Sequence, residues 1–206
     1  MPLSAILEEA KRRGHSQAYI KDIEHYCQKL MLQGLPIIFT REHFSILLNW
    51  NPGRLSDCFD NIDSSYKVFK VRKKQGTGYR YIQSPSRELK SVQNWIKVNI
   101  LDKIQLSDSV KGFRKGYSII DNAKVHDSAE LILNIDLYRF FESITENRVY
   151  GLFKWMGYHG NVARDLARLL CYKPSSSFWN EIEEQGVFGE DFQTIMPRIL
   201  PQGSPA

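Results

Sequence analysis

Residues 131–144, Leu-Ile-Leu-Asn-Ile-Asp-Leu-Tyr-Arg-Phe-Phe-Glu-Ser-Ile, limit most tightly what this chain can become. An apolar run carries one carboxylate, Asp136, to its end, and two aromatics, Phe140 and Phe141, follow within five residues. The run predicts a strand over 130–137. A strand ending in a lone acid is a common way to hold a catalytic metal, because hard cations take oxygen ligands. An aromatic just beyond it can shape a pocket beside that metal. What the acid can do depends on whether it has partners.

The 206 residues, 42% of them hydrophobic, suffice for a core and for one domain or one and a half. Cys27, Cys58 and Cys171 are scattered, with no CxxC pair. Zinc ribbons and redox motifs are therefore not expected, and the set fits reduced thiols in a cytoplasmic protein. No apolar run approaches the roughly 18 residues of a membrane span, so no membrane partner is expected. Met1 to Gly14 is amphipathic and charged, without a signal-peptide core. Net charge is +5, and it is concentrated. Residues 67–90 hold Lys67, Lys70, Arg72, Lys73, Lys74, Arg80, Arg87 and Lys90 against Glu88 alone. Such a segment is either a polyanion site or a solvated charged hairpin.

Along the chain, residues 3–33 read as two helical pieces broken near Gly14. Tyr19, Ile23, Tyr26 and Leu30 recur at helical spacing, the mark of core packing. Thr40 caps a short helix carrying Phe44, Leu47 and Leu48, and Asn51-Pro52-Gly53 reads as a turn. Tyr66–Arg72 and the stretch from Tyr79 form a basic β-hairpin around Gln75-Gly76-Thr77-Gly78. Those glycines are turn residues and no nucleotide fingerprint, since the third glycine is missing. Ser86 caps a long helix whose buried stripe is Leu89, Val92, Trp95, Ile96 and Ile100. Ser118 caps a short helix to about His126. Helices near 145–156 and 160–172 follow, and 173–199 reads as irregular.

Several local signals stand in order. Tyr79-Arg80-Tyr81-Ile82-Gln83-Ser84-Pro85 leads to Leu89-Lys90 and Gln93, then Gly112-Phe113-Arg114-Lys115-Gly116-Tyr117-Ser118-Ile119 and Asn122-Ala123-Lys124-Val125-His126. Asn134-Ile135-Asp136-Leu137 runs into Phe140-Phe141-Glu142-Ser143-Ile144, and the chain closes with Leu200-Pro201-Gln202-Gly203-Ser204-Pro205. This series resembles bacterial reverse transcriptases, most closely the retron type, over roughly residues 35–206.

The resemblance implies an α+β fold: the fingers and partial palm of a right-hand polymerase behind a helical N-terminal region. The expected division is 1–50 helical, 51–128 fingers and 129–206 partial palm. Asp136 would be the first metal-binding carboxylate, with the Leu137 carbonyl beside it, in a two-Mg²⁺ site. Phe141 would lie beneath the incoming sugar and exclude a 2′-hydroxyl by clash. By spacing, Phe140 packs inside and Phe141 lines the pocket. Arg80 would meet the incoming triphosphate, where a guanidinium suits bidentate phosphate contact. Gln202 and Gly203 would lie against nucleotide and template. Lys70, Arg72, Lys73, Lys74 and Lys90 would contact nucleic acid, each lysine being equally well read as a solvated charge. Tyr79 and Tyr81 alternate with Arg80, and one of them can be core. Asn122 and His126 share a helical face in a box typical of retron-type enzymes, a pointer to a structured RNA.

The implied partners are an RNA template or structured non-coding RNA, a DNA primer and deoxynucleotides, with an effector protein or self-association also possible. In this family the other two acids sit in a downstream Tyr-x-Asp-Asp hairpin, and no Asp-Asp pair occurs here. Glu190-Asp191 lies upstream of Leu200 and reads as surface charge. The expectation is a chain truncated before that hairpin and the thumb, and inactive alone. Three alternatives stay open: an intron-like reverse transcriptase, a non-catalytic RNA-binding or scaffold module, and a helical DNA-binding regulator. The last leaves Asp136, the aromatic pair and Leu-Pro-Gln-Gly unexplained.

Overall fold

Side-chain caps set where the helices begin. Ser16, Thr40, Asn51, Ser86 and Ser118 each accept the backbone N–H three residues on, at 2.8–3.3 Å. Each satisfies a donor that a helix start leaves without an intrahelical partner. The computed structural model describes residues 3–73, 79–114, 116–137, 139–183 and 197–205. In chain order come α1 (Leu3–Arg12), α2 (Gln17–Leu32), α3 (Arg41–Leu47), α4 (Pro52–Asp60), β1 (Tyr66–Arg72), β2 (Tyr79–Pro85) and α5 (Arg87–Asn99). A 3₁₀ turn at Leu101–Lys103 precedes α6 (Ile119–Lys124), α7 (Phe140–Ser143), α8 (Glu146–Met156), α9 (Gly160–Leu170) and α10 (Ser176–Glu183). Helices with one antiparallel strand pair, β1–β2, are compatible with α+β.

The core is one continuous cluster running from Ile23 to Ile199. It is centred on the apolar stripe of α5, where Leu89, Val92, Ile96 and the following Ile100 are all fully buried. The α8–α9 pair packs across it through Phe153, Ala163, Leu166 and Leu169. Polar ties fix the N-terminal helices to this body. Tyr26 donates its hydroxyl to the Ile38 carbonyl, and Tyr158 donates to Pro36 at 3.0 Å. Arg41 grips Asp165 with two hydrogen bonds, 2.6 and 2.9 Å, while its guanidinium lies 4.0 Å above the Phe59 ring. The planar fork suits this double contact.

Four expectations are corrected. Among the described residues no strand forms over 130–137: the segment is irregular and makes no backbone hydrogen bond. Leu131, Leu133 and Ile135 are 87%, 79% and 76% exposed. An extended run becomes a strand only when a neighbour completes its ladder, and no described segment lies alongside. Asn51-Pro52-Gly53 is a helix start, because Asn51 caps and proline fits the first helical turn. The stretch 173–199 contains α10, whose Phe178 and Trp179 are buried. Tyr19 is 46% exposed although Ile23, Tyr26 and Leu30 of the same stripe are buried. The hairpin turn at 75–78 and Glu190-Asp191 lie outside the described residues.

Two outcomes follow from this packing. Leu89→Ala is expected to lower unfolding stability by about 2–5 kcal/mol, against within ~0.5 kcal/mol for Leu32→Ala, which is 88% exposed. Urea titration of both variants checks this. All three thiols are buried, and burial raises each, Cys171 to about 12. Ellman's reagent at pH 8 is expected to find no rapidly reacting thiol in the folded protein and all of them in urea.

Candidate functional site

The β1–β2 hairpin packs on the body through Tyr66 and Tyr81 and leaves most of β1 exposed. Of β1 only Tyr66 is buried, while Val68, Phe69 and Val71 are about half exposed. On β2 the alternation splits the faces. Tyr81, Gln83 and Pro85 are buried, and Tyr79 and Arg80 are exposed. Lys70 pairs in register with Tyr81 and sets its Nζ 5.5 Å over that ring, and Arg72 lies opposite Tyr79. Arg80 lies opposite Val71. Beneath the hairpin, a groove of about 420 Å³ is lined by Lys70, Tyr81, Tyr172 and Phe178 among others. Of the predicted basic contacts, Lys70, Arg72 and Lys90 are exposed and Lys73 is half-buried, while Lys74 lies outside the described residues.

The outer edge of β2 is closed by the Leu-Pro-Gln-Gly segment. Gln83 N–H donates to the Gln202 carbonyl at 3.0 Å, and the Gln83 side-chain oxygen accepts from Gln202 N–H at 2.7 Å. Gly203 then passes so close that a Cβ there would sit 2.9 Å from Ile82 Cγ2 and 3.1 Å from the Gln83 carbonyl. Its φ of +130° also belongs to glycine. The next residue, Ser204, donates to the Gln93 side-chain oxygen at 3.2 Å. Gln93 is fully buried, and its amide nitrogen donates to the Tyr66 hydroxyl at 2.8 Å and the Leu169 carbonyl at 2.9 Å.

A second knot joins this segment to the residues after Asp136. Ile199 exchanges both backbone hydrogen bonds with Tyr172, each 3.0 Å, and bridges Thr145. Leu200 N–H donates to the Ile144 carbonyl at 2.9 Å, and Glu146 N–H to the Arg198 carbonyl at 2.9 Å. The Arg198 side chain, 7% exposed, lies 2.6 Å from an Asp63 oxygen and 3.1 Å from a Glu146 oxygen, and donates to the Cys171 carbonyl at 3.0 Å. A buried guanidinium persists only where carboxylates and carbonyls surround it. Helix α7, which carries Phe140 and Phe141, is thereby anchored at its end beside the motif.

Thus Gln202 and Gly203 are brought onto the strand that carries Arg80, and Phe141 is tied to the same segment through Ile144. The aromatic pair meets edge to face at 5.9 Å. Phe140 is 46% exposed and Phe141 half-buried, so the expected inward packing of Phe140 is corrected. Arg139, at the start of α7, has a left-handed φ of 48°, which spacing alone does not reveal. Asp136 and Leu137 are exposed on the irregular segment. Among the described residues, no three His, Cys, Asp or Glu side chains gather to hold a metal ion. Asn122 lies in α6, whereas His126 falls in the turn beyond Lys124, so the two do not share a continuous helical face. Gln83, Gln93, Arg198 and Ser204 were missed as positioning residues.

No family model matches the chain. Over 141 residues it is 39% identical to the retron Ec86 reverse transcriptase of Escherichia coli, covering 68% of this chain and 44% of that protein. It is 31% identical over 140 residues to the retron Mx162 reverse transcriptase of Myxococcus xanthus, covering 68% of this chain and 27% of that protein. It is also 31% identical over 181 residues to the retron Mx65 reverse transcriptase of the same organism, covering 86% and 41%. The chain thus spans less than half the length of these relatives.

Gly203→Ala tests the seating of the motif. It forces either a strained φ or retreat from β2, and an unfolding stability loss of roughly 1–3 kcal/mol is expected by denaturant titration. Gly112→Ala, with open space around its added Cβ, serves as the control.

Proposed function

The chain is related to the retron reverse transcriptases, and we propose that its residues form the nucleotide- and template-facing half of an RNA-directed DNA polymerase. The reading rests on one observation above others: Gln202 and Gly203 are hydrogen-bonded and packed onto β2, about 7–10 Å along the strand from Arg80. In this reading residues 51–128 are fingers and 129–206 partial palm, behind the helical 1–50. Arg80 holds the triphosphate of the incoming deoxynucleotide. Gln202 and Gly203 lie against its base and the template. The lysines and arginines of the hairpin grip an RNA template or the DNA primer. Phe141 excludes the ribose 2′-hydroxyl. Asn122 and His126 face a structured RNA. The biological setting, by family association, is a retron or another anti-phage defence system.

The Asp136 carboxylate and Leu137 carbonyl are hard oxygen donors of the kind Mg²⁺ takes, but they fill only part of an octahedral shell. Mg²⁺ there would neutralise charge on the transferring phosphoryl group. Asp136 and the Leu137 carbonyl would hold the ion, and Arg80 would offset charge on the leaving phosphates. A lone carboxylate cannot hold two such ions, so residues 1–206 alone are inactive in this reading. A second reading is a non-catalytic RNA-binding module on a polymerase half, in keeping with the lack of any three-ligand cluster among the described residues.

Primer extension on an RNA template decides between them. The 206-residue chain alone is expected to add no nucleotide, and extension that Asp136→Ala abolishes would overturn its inactivity. In a polymerase completed with the C-terminal part of the retron Ec86 enzyme, Asp136→Asn is expected to abolish synthesis. Phe141→Ala is expected to keep it while raising ribonucleotide incorporation by about tenfold or more. Extension indifferent to Asp136 would leave only the binding-module reading.

A further inference from the structure

The motif Gly112-Phe113-Arg114-Lys115-Gly116-Tyr117-Ser118 carries none of the residues assigned to polymerase chemistry, yet it holds the most exposed large apolar side chain among the described residues. The Phe113 ring is fully exposed, at 107%, so nothing packs on it. Its backbone has a left-handed φ of 56°, which a bulky residue rarely adopts. An aromatic held out in water on a strained backbone combines two costs at one residue, and such outliers cluster at ligand clamps. Beside it a hollow of about 200 Å³ is lined by Lys111, Gly112, Phe113, Tyr117, Ile119 and Asn122 among others. Lys111 Nζ and Arg114 Cζ lie 4.7 and 4.5 Å from the Tyr117 ring centre. Arg114 is spent within the protein: it donates to the Ser107 and Val110 carbonyls at 3.2 and 3.5 Å and lies 3.9 Å from Asp108. Lys111, half-buried, makes no hydrogen bond or ion pair among the described residues. The Asp121 carboxylate, which feels the Lys111 charge, accepts instead from the Ser118 N–H at 2.7 Å and Oγ at 2.6 Å. Asn122 is exposed, and its side-chain amide makes no hydrogen bond among the described residues.

We propose that this shelf receives one unpaired base of a nucleic acid strand: the base stacks on the Phe113 ring, its edge meets the Asn122 amide, and its phosphate meets the Lys111 ammonium. Each of the three protein groups reaches solvent and is uncommitted among the described residues. A bare ring needs an open base face, and a duplex covers its base faces by stacking, so the base is unpaired. A primary amide offers a donor and an acceptor together, as base edges do. An apolar protein side chain would use the Phe113 ring and Ile119 but leave the amide and the ammonium without partners. RNA and DNA strands present the same base face and phosphate. The inference rests on the nucleic-acid-facing role proposed above for Asn122 and deepens it, without drawing on polymerase chemistry.

Fluorescence anisotropy of the 206-residue chain tests it with three labelled probes: an oligoadenylate and an oligodeoxyadenylate of about ten nucleotides, and an RNA duplex of the same length. The single strands are expected to bind more tightly than the duplex, and the tighter of the two identifies the strand the shelf takes. Phe113→Leu is expected to weaken that binding about tenfold or more, and Phe113→Trp to keep it, because the contact is a ring face and not apolar bulk. Both variants are expected to leave the melting temperature unchanged, since the ring is free of packing. Lys111→Ala is expected to flatten the dependence of log affinity on log salt by roughly 0.7. Phe113→Leu that binds like the unsubstituted chain overturns the proposal, while a loss with Asn122→Ala would still uphold the role of Asn122. Binding that neither of those variants changes, but that Arg80→Ala weakens, ends both. The proposal fails also if no single strand binds, or if the duplex binds as tightly. It fails too if Phe113→Leu instead dissolves a self-associated form in ultracentrifugation, which would assign the ring to a protein contact.

Discussion

The fully buried side-chain amide of Gln93 joins four elements that sequence keeps far apart. From α5 it donates to Tyr66 on β1 and to the Leu169 carbonyl at the end of α9, and it accepts from Ser204 in the motif segment. In a low-dielectric interior such an amide is costly unless every partner is present. That condition makes it a registration device. The hairpin, the α8–α9 pair and the Leu-Pro-Gln-Gly segment reach their positions together, because displacing any one leaves Gln93 short of a bond. The Gln83 pairing with Gln202 is the second half of this arrangement, and it carries the register along β2 toward Arg80.

Arg198 does for the start of α8 what Gln93 does for the hairpin. Its guanidinium draws Asp63, Glu146 and the Cys171 carbonyl to one buried point. Its backbone holds the start of α8 through Glu146 N–H. Two buried polar hubs, one on each side of the same motif segment, explain how a short irregular stretch is held rigidly. Loops are usually the mobile part of a site. Here the segment carrying Gln202 and Gly203 is anchored by hydrogen bonds before, within and after the motif.

What could be read from the sequence follows from the range of each interaction. Caps act within three residues, so Thr40, Ser86 and Ser118 announced their helices, whereas Asn51-Pro52 reads as a turn because the same residues serve both. The α5 stripe was legible because its period is local. The hairpin was legible from alternation and charge. Gln93 and Arg198 were not, since a polar residue's burial depends on partners 27 to 111 positions away. Tyr19 fits the helical stripe by spacing, yet it sits at a cavity mouth, because periodicity fixes a face and not what covers it.

The apolar run before Asp136 shows the same limit from the other side. Alternation puts Leu131, Leu133, Ile135 and Leu137 on one face of any extended conformation, and Ile132, Asn134 and Asp136 on the other. Only a partner can decide whether that pattern becomes a strand. Unpaired, the run leaves several large side chains in water. Pairing along an edge would complete the backbone ladder and fix the direction of the Asp136 carboxylate, and seating the paired strand on a core would bury the apolar face. In the metal-binding reading proposed for Asp136, the hydrophobic drive to cover Leu131–Leu137 thus favours the arrangement that a metal site would demand.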